Sequence, residues 1–141
     1  MTVTPIVPPS QQSYHDDWHF SPGLEAAGFV FLSGATGGVR QTGQMPDGVI
    51  AQSENAFATL ADVLQEAGLG FDAVVDMTTY HVGLQAHLAE FKTVKDRFIH
   101  LPYPAWTAIG VSELASPGAL IEIKLIAKRT KAAQQHSDVQ P

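Results

Sequence analysis

Residues 119–127 read ALIEIKLIA, and this short stretch decides the fold. Successive side chains of a β-strand point to opposite faces of a sheet. The alternation therefore predicts a strand with one apolar face, made by Ile121, Ile123 and Leu125, and one mixed face that carries Glu122 and Lys124. A strand of this kind is buried on one side by another layer of the protein.

The segments that precede this strand supply the other elements. Apolar or β-branched runs predict strands at 28–34, 71–82 and 105–111. Apolar residues at helical spacing predict amphipathic helices at about 49–67 and 85–98, and Gly68 offers the left-handed residue that commonly ends a helix. The order of strands and helices predicts an α+β domain in which two helices pack on the same side of a single sheet.

The opposite face of that sheet has no predicted helix to cover it. Val74, Thr78 and Tyr80, or their alternates, are expected on this face. A second copy of the chain is the simplest cover, although an antiparallel sheet can also leave one face in water. The residues alone leave both possibilities open.

Length, composition and charge restrict the class of protein. The 141 residues fit one domain, with residues 1–14 as a proline-rich extended arm and 130–141 as a polar tail. The net charge is −6 and there are only 8 Lys and Arg, so no basic patch for nucleic acid is expected. The chain has no cysteine for disulfides or thiolate chemistry. Without a signal peptide or an apolar run of about 20 residues, it is expected to be cytoplasmic, with no membrane partner.

Three motifs suggest chemistry only weakly. Ser33 lacks the G-x-S-x-G elbow of a hydrolase triad. The glycines of Gly34–Gly38 are not followed by the Gly-Lys-Ser/Thr of a phosphate loop, which favours a turn. His15 and His19 could share a zinc ion only on a helix, and the neighbouring prolines disfavour a helix there. We therefore predict no metal site.

Glu122 is the most informative residue, because a carboxylate in the middle of an apolar strand is costly unless it is paired or functional. One interpretation is that it pairs with Lys124 on the same face or is simply exposed. The other is that it acts as a general acid or base whose pKa is raised by burial.

Four segments taken together resemble the RidA family (YjgF/YER057c/UK114), small proteins associated with the hydrolysis of reactive enamines and imines. They are the strand ending in Ser33-Gly34, the helix end at 66–68, the Pro-Ala-x-Thr turn at 104–107 and the Ile-Glu-Ile at 121–123. The resemblance covers about residues 20–129. It implies a chorismate-mutase-like fold, a homotrimer with three intersubunit clefts, and no cofactor.

Carried over position by position, the resemblance implies a partly altered site. Ser33 and Gly34 match residues that line the cleft, and Glu122 matches the glutamate that holds or activates water. Trp106 stands where active members carry an arginine that grips the substrate carboxylate, and Phe20 stands where a tyrosine is expected.

Two further positions complete the predicted substrate-binding set: Lys92, which matches a helix asparagine, and Thr107, which follows Trp106. Loss of the arginine removes a contact typically worth ~1.5–3 kcal/mol, which favours a more apolar or aromatic ligand over a small 2-imino acid. The first hypothesis is thus a divergent hydrolase or deaminase of an imine, enamine or similar small metabolite. The second is a noncatalytic trimer that binds a small molecule or a partner protein in the same clefts. Ribonuclease activity is disfavoured by the acidic charge.

Overall fold

The computed structural model describes residues 2–39 and 41–129, which form one mixed sheet with helices. The strand order across the sheet is β1-β2-β3-β6-β4-β5, with β4 and β5 parallel and the other neighbours antiparallel. In chain order the elements are β1 (Val3–Ile6), α1 (Gln12–Asp16), β2 (Gly23–Ala26), β3 (Phe29–Thr36), α2 (Val49–Glu66), β4 (Val74–His81), α3 (Leu84–Phe98), β5 (Ala105–Gly110) and β6 (Ile121–Lys128), with 3-10 turns at Pro9–Gln11 and Phe71–Ala73.

Strand β6 lies between β3 and β4, and the alternation predicted for it is confirmed. Ile121, Ile123 and Leu125 are completely buried, whereas Glu122 and Lys124 on the other face are half-buried. The α+β fold class is confirmed with it, because helices cover the apolar face of the sheet.

Helices α2 and α3 form that cover through a cluster of phenylalanines. The ring centroid of Phe57 in α2 lies 4.8 Å from that of Phe98 and 6.2 Å from that of Phe91, both in α3. Gly68, at φ +74°, ends α2 as predicted. Within the described ranges, neither these helices nor α1 is long and apolar enough to cross a membrane.

The N-terminal arm pairs with the sheet, which the sequence did not predict. Residues Val3–Ile6 form an edge strand that pairs with β2, and Ile6 is buried. Of the extended arm predicted for residues 1–14, Val3–Ile6 is extended, where an edge strand tolerates Pro5, whereas Pro9–Gln11 and Gln12–Asp16 are helical turns. The predicted polar tail, residues 130–141, lies outside the described residues.

Strand β4 is shorter than the run of β-forming residues that predicted it. Residues Phe71–Ala73 form a 3-10 turn that places the Phe71 ring 5.9 Å from Phe57. A register shift then lies between Val74 and Asp76 in the pairing with β6. Because such a bulge inserts one residue, it reverses the alternation. Val74 therefore lies in the core, contrary to prediction, while Thr78 and Tyr80 lie on the face without helices.

Candidate functional site

Strand β3 contains a β-bulge at Ser33 and Gly34, the two residues that lie opposite the single residue Lys124 of β6. The Ser33 hydroxyl donates a 2.7 Å hydrogen bond to the carbonyl oxygen of Ser21, and its backbone N–H donates to that of Pro22. The side chain of Ser33 thus fixes the segment that enters β2. The bulge leaves Gly34 on the exposed side of the sheet.

The side chain of Glu122 lies directly over Gly34. A Cβ atom on Gly34 would stand 2.8 Å from Cδ of Glu122, closer than any ordinary contact, so only glycine leaves room for the carboxyl group. Burial raises the pKa of Glu122, and the nearby Lys124 only partly offsets this. The Lys124 ammonium donates instead to the carbonyl oxygen of Leu32, at 3.3 Å. Among the described residues no cation lies within 4.0 Å of the carboxylate.

Glu122 lines a cavity of about 580 Å³ that opens on the bulge. Ser33, Gly34 and Phe20 line the same cavity, so four residues predicted from the sequence meet there. Its volume is in the range of small-molecule sites. The remaining wall is largely apolar and includes Tyr14, Trp18, Met45, Leu60 and Val63.

The aromatic rim of this cavity comes from a segment whose structure was predicted wrongly. A single helical turn, Gln12–Asp16, forms where no helix was expected, because Pro9 begins a 3-10 turn that leads directly into it. The Tyr14 ring stacks on Phe20 with 5.3 Å between centroids, and Trp18 is 74% exposed. Neither Tyr14 nor Trp18 was predicted from the sequence, where only His15 and His19 of this segment suggested a site.

Polar residues of α2 hold the loops around the cavity. Gln52, which is almost completely buried, donates to the carbonyl oxygens of Pro46 and Gly118 and accepts from the N–H of Leu120. Asn55 donates to the carbonyl oxygen of Gly37 at 3.0 Å. An amide side chain on the apolar side of a predicted helix was the sequence signal that could have revealed this role.

The other predicted residues lie elsewhere in the protomer. Trp106 and Lys92 line a separate cavity of about 790 Å³ between β5 and the end of α3. Trp106 pairs with Met77 in register and therefore faces the helices, whereas Thr107 is exposed on the opposite face. A single protomer does not bring these three residues to Glu122.

A buried hydrogen-bonded chain holds Trp106 in place. Its indole N–H donates to the Thr79 hydroxyl at 2.9 Å, and that hydroxyl lies 2.7 Å from Nε2 of His81. Because an indole N–H can only donate, the Thr79 hydroxyl accepts from Trp106 and donates its own proton to Nε2 of His81. The proton of the His81 ring is then on Nδ1, which donates to Nε2 of His87 at 3.2 Å. Burial, and then the charge of His87, lower the pKa of His81 to about 4, which keeps this chain neutral.

The lysines beside Trp106 are already paired. Lys92 lies 2.8 Å and Lys95 2.9 Å from the two carboxylate oxygens of Asp96. The Lys95 ammonium also lies 4.8 Å from the centroid of the Trp106 ring. Hydrogen bonds from both lysines lower the pKa of Asp96. Within 2–39 and 41–129, no cluster of three or more His, Asp or Glu residues could hold a metal ion.

The chain is thus a small α+β protein in which a strand glutamate packs on a bulge glycine beside a largely apolar cavity. Residues 12–129 match the family model described as Endoribonuclease L-PSP. The chain therefore belongs to this family, which is the RidA family that the sequence resembles.

Individual relatives agree with this assignment. The RutC family protein YjgH of Escherichia coli (strain K12) is 33% identical over 126 residues, which are 89% of this chain and 94% of that protein. A solved structure of protein YJGH has a TM-score of 0.81 at 31% identity, over 91% of this chain and 97% of that chain. Reactive Intermediate Deaminase A, chloroplastic, of Arabidopsis thaliana is 32% identical over 112 residues, which are 77% of this chain but only 57% of that protein.

Proposed function

We propose that the chain is a divergent RidA-like hydrolase that deaminates a small imine or enamine. The observation that carries this proposal is the half-buried carboxyl group of Glu122, which lies without a cationic partner among the described residues beside a cavity of about 580 Å³. A base with a raised pKa titrates nearer to neutral pH, where general base catalysis is most effective. The name of the Arabidopsis relative, a reactive intermediate deaminase, supports the same class of reaction.

The reaction needs only water and one proton carrier. The Glu122 carboxylate takes a proton from water as the water oxygen bonds to the carbon of a protonated imine and the C=N electron pair moves to nitrogen. The carboxylic acid then protonates the nitrogen of this carbinolamine. The C–N bond breaks, ammonia leaves, and the hydroxyl proton is released to solvent as the carbonyl forms. The net change is imine plus water to carbonyl compound plus ammonia, and Glu122 is regenerated.

We further propose that the cleft is completed by a neighbouring protomer in a homotrimer. The predicted site residues fall at two separate cavities of one protomer, and a second copy is the simplest way to bring Trp106 and Lys92 to Glu122. The face of the sheet without helices also exposes large apolar side chains, with Phe29 at 36%, Phe31 at 40% and Ile109 at 38%. Such a surface favours association.

Two other functions are compatible with this fold. A noncatalytic trimer that binds a small molecule would use the same cavity and differs only in the role of Glu122. Cleavage of RNA, which the family name Endoribonuclease L-PSP suggests, is disfavoured because the chain carries a net charge of −6 and the cavity presents a carboxylate where phosphate would approach.

Glu122→Gln tests the proposal, with the exposed Glu113→Gln as the matched control. Imines are generated in situ by flavin-dependent amine or amino-acid oxidases, and their hydrolysis is measured against the rate in buffer. We expect Glu122→Gln to lose roughly 10²–10⁴-fold in turnover, the usual contribution of general acid–base catalysis, while Glu113→Gln retains full activity. Full turnover in Glu122→Gln, or no acceleration by the wild type of any imine, would leave the cavity as a binding pocket.

A further inference from the structure

We infer that the cavity beside Glu122 selects ligands that carry an amine or imine nitrogen on an aromatic or apolar group and that lack a carboxylate. The inference rests on the proposed function for the position of the reacting nitrogen at Glu122. It goes beyond that function because it names the part of the ligand that the cavity recognises.

The charge of the cavity lining disfavours a ligand carboxylate. Among the described residues that line it, Glu122 carries the one carboxyl group and no Lys, Arg or His is present. Lys124, the cation that acts electrostatically on Glu122, is bonded to the carbonyl oxygen of Leu32. A ligand carboxylate in this cavity would therefore face a like charge in a partly desolvated site, whereas a protonated nitrogen would face an opposite one.

The aromatic rim of the cavity favours a ligand with an aromatic or apolar group. Tyr14 and Phe20 stack on each other, and Trp18 extends into solvent beside them. A tryptophan that is 74% exposed contributes little to the core, but its face can attract an organic cation or stack on a planar group. Leu60 and Val63 of α2, both almost completely buried, add apolar lining to the cavity. A polar nitrogen with an apolar substituent matches these surfaces.

The second cavity does not supply a free cation either. In a trimer it would bring Lys92 and Lys95 towards the cleft, but the two ammonium groups share the carboxylate of Asp96. A ligand carboxylate would have to compete with that ion pair. The selectivity against carboxylates is thus expected in the assembled protein as well.

Calorimetric titration with three probes that share one ring tests the inference without requiring turnover. The probes are 2-phenylethylamine, 2-phenylethanol and 3-phenylpropanoate. We expect the ammonium probe to bind roughly tenfold more tightly than the alcohol, and the carboxylate probe to bind most weakly. Glu122→Gln should remove the preference for the ammonium over the alcohol and leave alcohol binding intact. Trp18→Leu should weaken both of these probes, and Trp18→Phe should restore them.

Equal or tighter binding of the carboxylate probe would overturn the inference. Arg40 follows the lining residue Val39 in sequence and lies outside the described residues, so Arg40→Gln is measured in parallel. Carboxylate binding that disappears in Arg40→Gln would identify Arg40 as the anion receptor and equally overturn the inference. Binding of the ammonium probe without hydrolysis of any imine would instead contradict the proposed function and leave the selectivity standing.

Discussion

The carboxyl group of Glu122 occupies the space that a side chain at position 34 would take, with its Cδ 2.8 Å and its Cγ 3.0 Å from where a Cβ of that residue would lie. Gly34→Ala should therefore displace Glu122 rather than the strand, because the carboxyl group is the end of a flexible side chain. We expect a stability loss of about 1 kcal/mol, typical of an off-rotamer side chain, and a loss of turnover close to that of Glu122→Gln. Thermal melts and imine hydrolysis measure the two effects.

A double-mutant cycle isolates this contact. In a Glu122→Ala background, the Gly34→Ala change should cost less than it does in the wild type, because the clashing atoms are gone. Gly38→Ala is the control, since a Cβ there meets its nearest neighbour, the carbonyl oxygen of Gly43, at an ordinary 3.5 Å. An identical cost of Gly34→Ala in both backgrounds would show that the backbone of the bulge, not the carboxyl group, requires glycine.

The raised pKa of Glu122 predicts how stability depends on pH. The folded protein holds the proton of this carboxyl group more tightly than the unfolded chain does, so this group costs stability as pH rises from about 4.5 through the raised folded value. Glu122→Gln removes the charge and should melt at a higher temperature than the wild type at neutral pH. The difference should vanish below pH 4.5. A lower melting temperature of Glu122→Gln at neutral pH would indicate that the carboxylate is stabilised by a partner.

His81 should give stability the opposite dependence on pH. Its pKa in the folded protein is about 4, below the ordinary 6.5, so the unfolded chain binds the proton first. Stability is fully present above pH 6.5 and is lost as pH falls towards 4, by up to about 3 kcal/mol. We expect His81→Gln to flatten the fall in unfolding free energy between pH 7 and pH 4.5, and the exposed His100→Gln to leave it unchanged. Parallel curves for the wild type and His81→Gln would rule out this histidine as the cause.

The sequence predicted the fold better than it predicted the site, for a physical reason. The alternation of β6 and the helical stripes of α2 and α3 are local patterns, and both are confirmed. The bulge at Val75 leaves no local pattern in the sequence, since it depends on how β4 pairs with β6. The face of the sheet on which Val74 lies was therefore predicted wrongly. The pairing of β1 with β2 was not predicted, because an edge strand depends on a partner that is distant in sequence.

The same distinction applies to the candidate site. Glu122 could be found because a charge in an apolar strand contradicts its surroundings. Tyr14 and Trp18 could not be found in this way, because aromatic residues in a polar segment acquire a role only when α1 and the residues after it bring them to the cavity. The sequence also did not predict on which side of β5 the Trp106 side chain lies. That side follows from the register of β5 with β4.

The assembly can be tested directly by light scattering. The exposed apolar residues Phe29 and Phe31 and the division of the predicted site between two cavities lead us to expect about three times the subunit mass of 15.1 kDa. Phe31→Lys should weaken the assembly by placing a charge on this face. Phe29→Tyr, which keeps the ring, is its control. A monodisperse monomer at micromolar concentration would contradict the intersubunit cleft.

The final prediction concerns Trp106, which stands where the RidA resemblance places the arginine that grips a carboxylate. An arginine at 106 would lose the hydrogen bond to Thr79 and lie beside the ammonium group of Lys95. We therefore expect Trp106→Arg alone to destabilise the protein by roughly 1–3 kcal/mol, because a buried hydroxyl loses its donor and two cations meet. Its gain in kcat/KM for 2-iminobutyrate should be small.

Trp106→Arg combined with Lys95→Gln should be more active towards 2-iminobutyrate than Trp106→Arg alone. The neighbouring cation is removed, while Asp96 retains its pairing with Lys92. A contact between a free guanidinium and the substrate carboxylate raises affinity by about 10- to 100-fold. We therefore expect kcat/KM for 2-iminobutyrate to rise by about the same factor over the wild type. Trp106→Phe is the control: it keeps the ring on Phe91, should cost about 1 kcal/mol for the lost N–H bond, and should gain no activity. A full gain from Trp106→Arg alone would show that Lys95 does not oppose a cation at this position. No gain from the double variant would show that position 106 does not reach the substrate in the assembled protein.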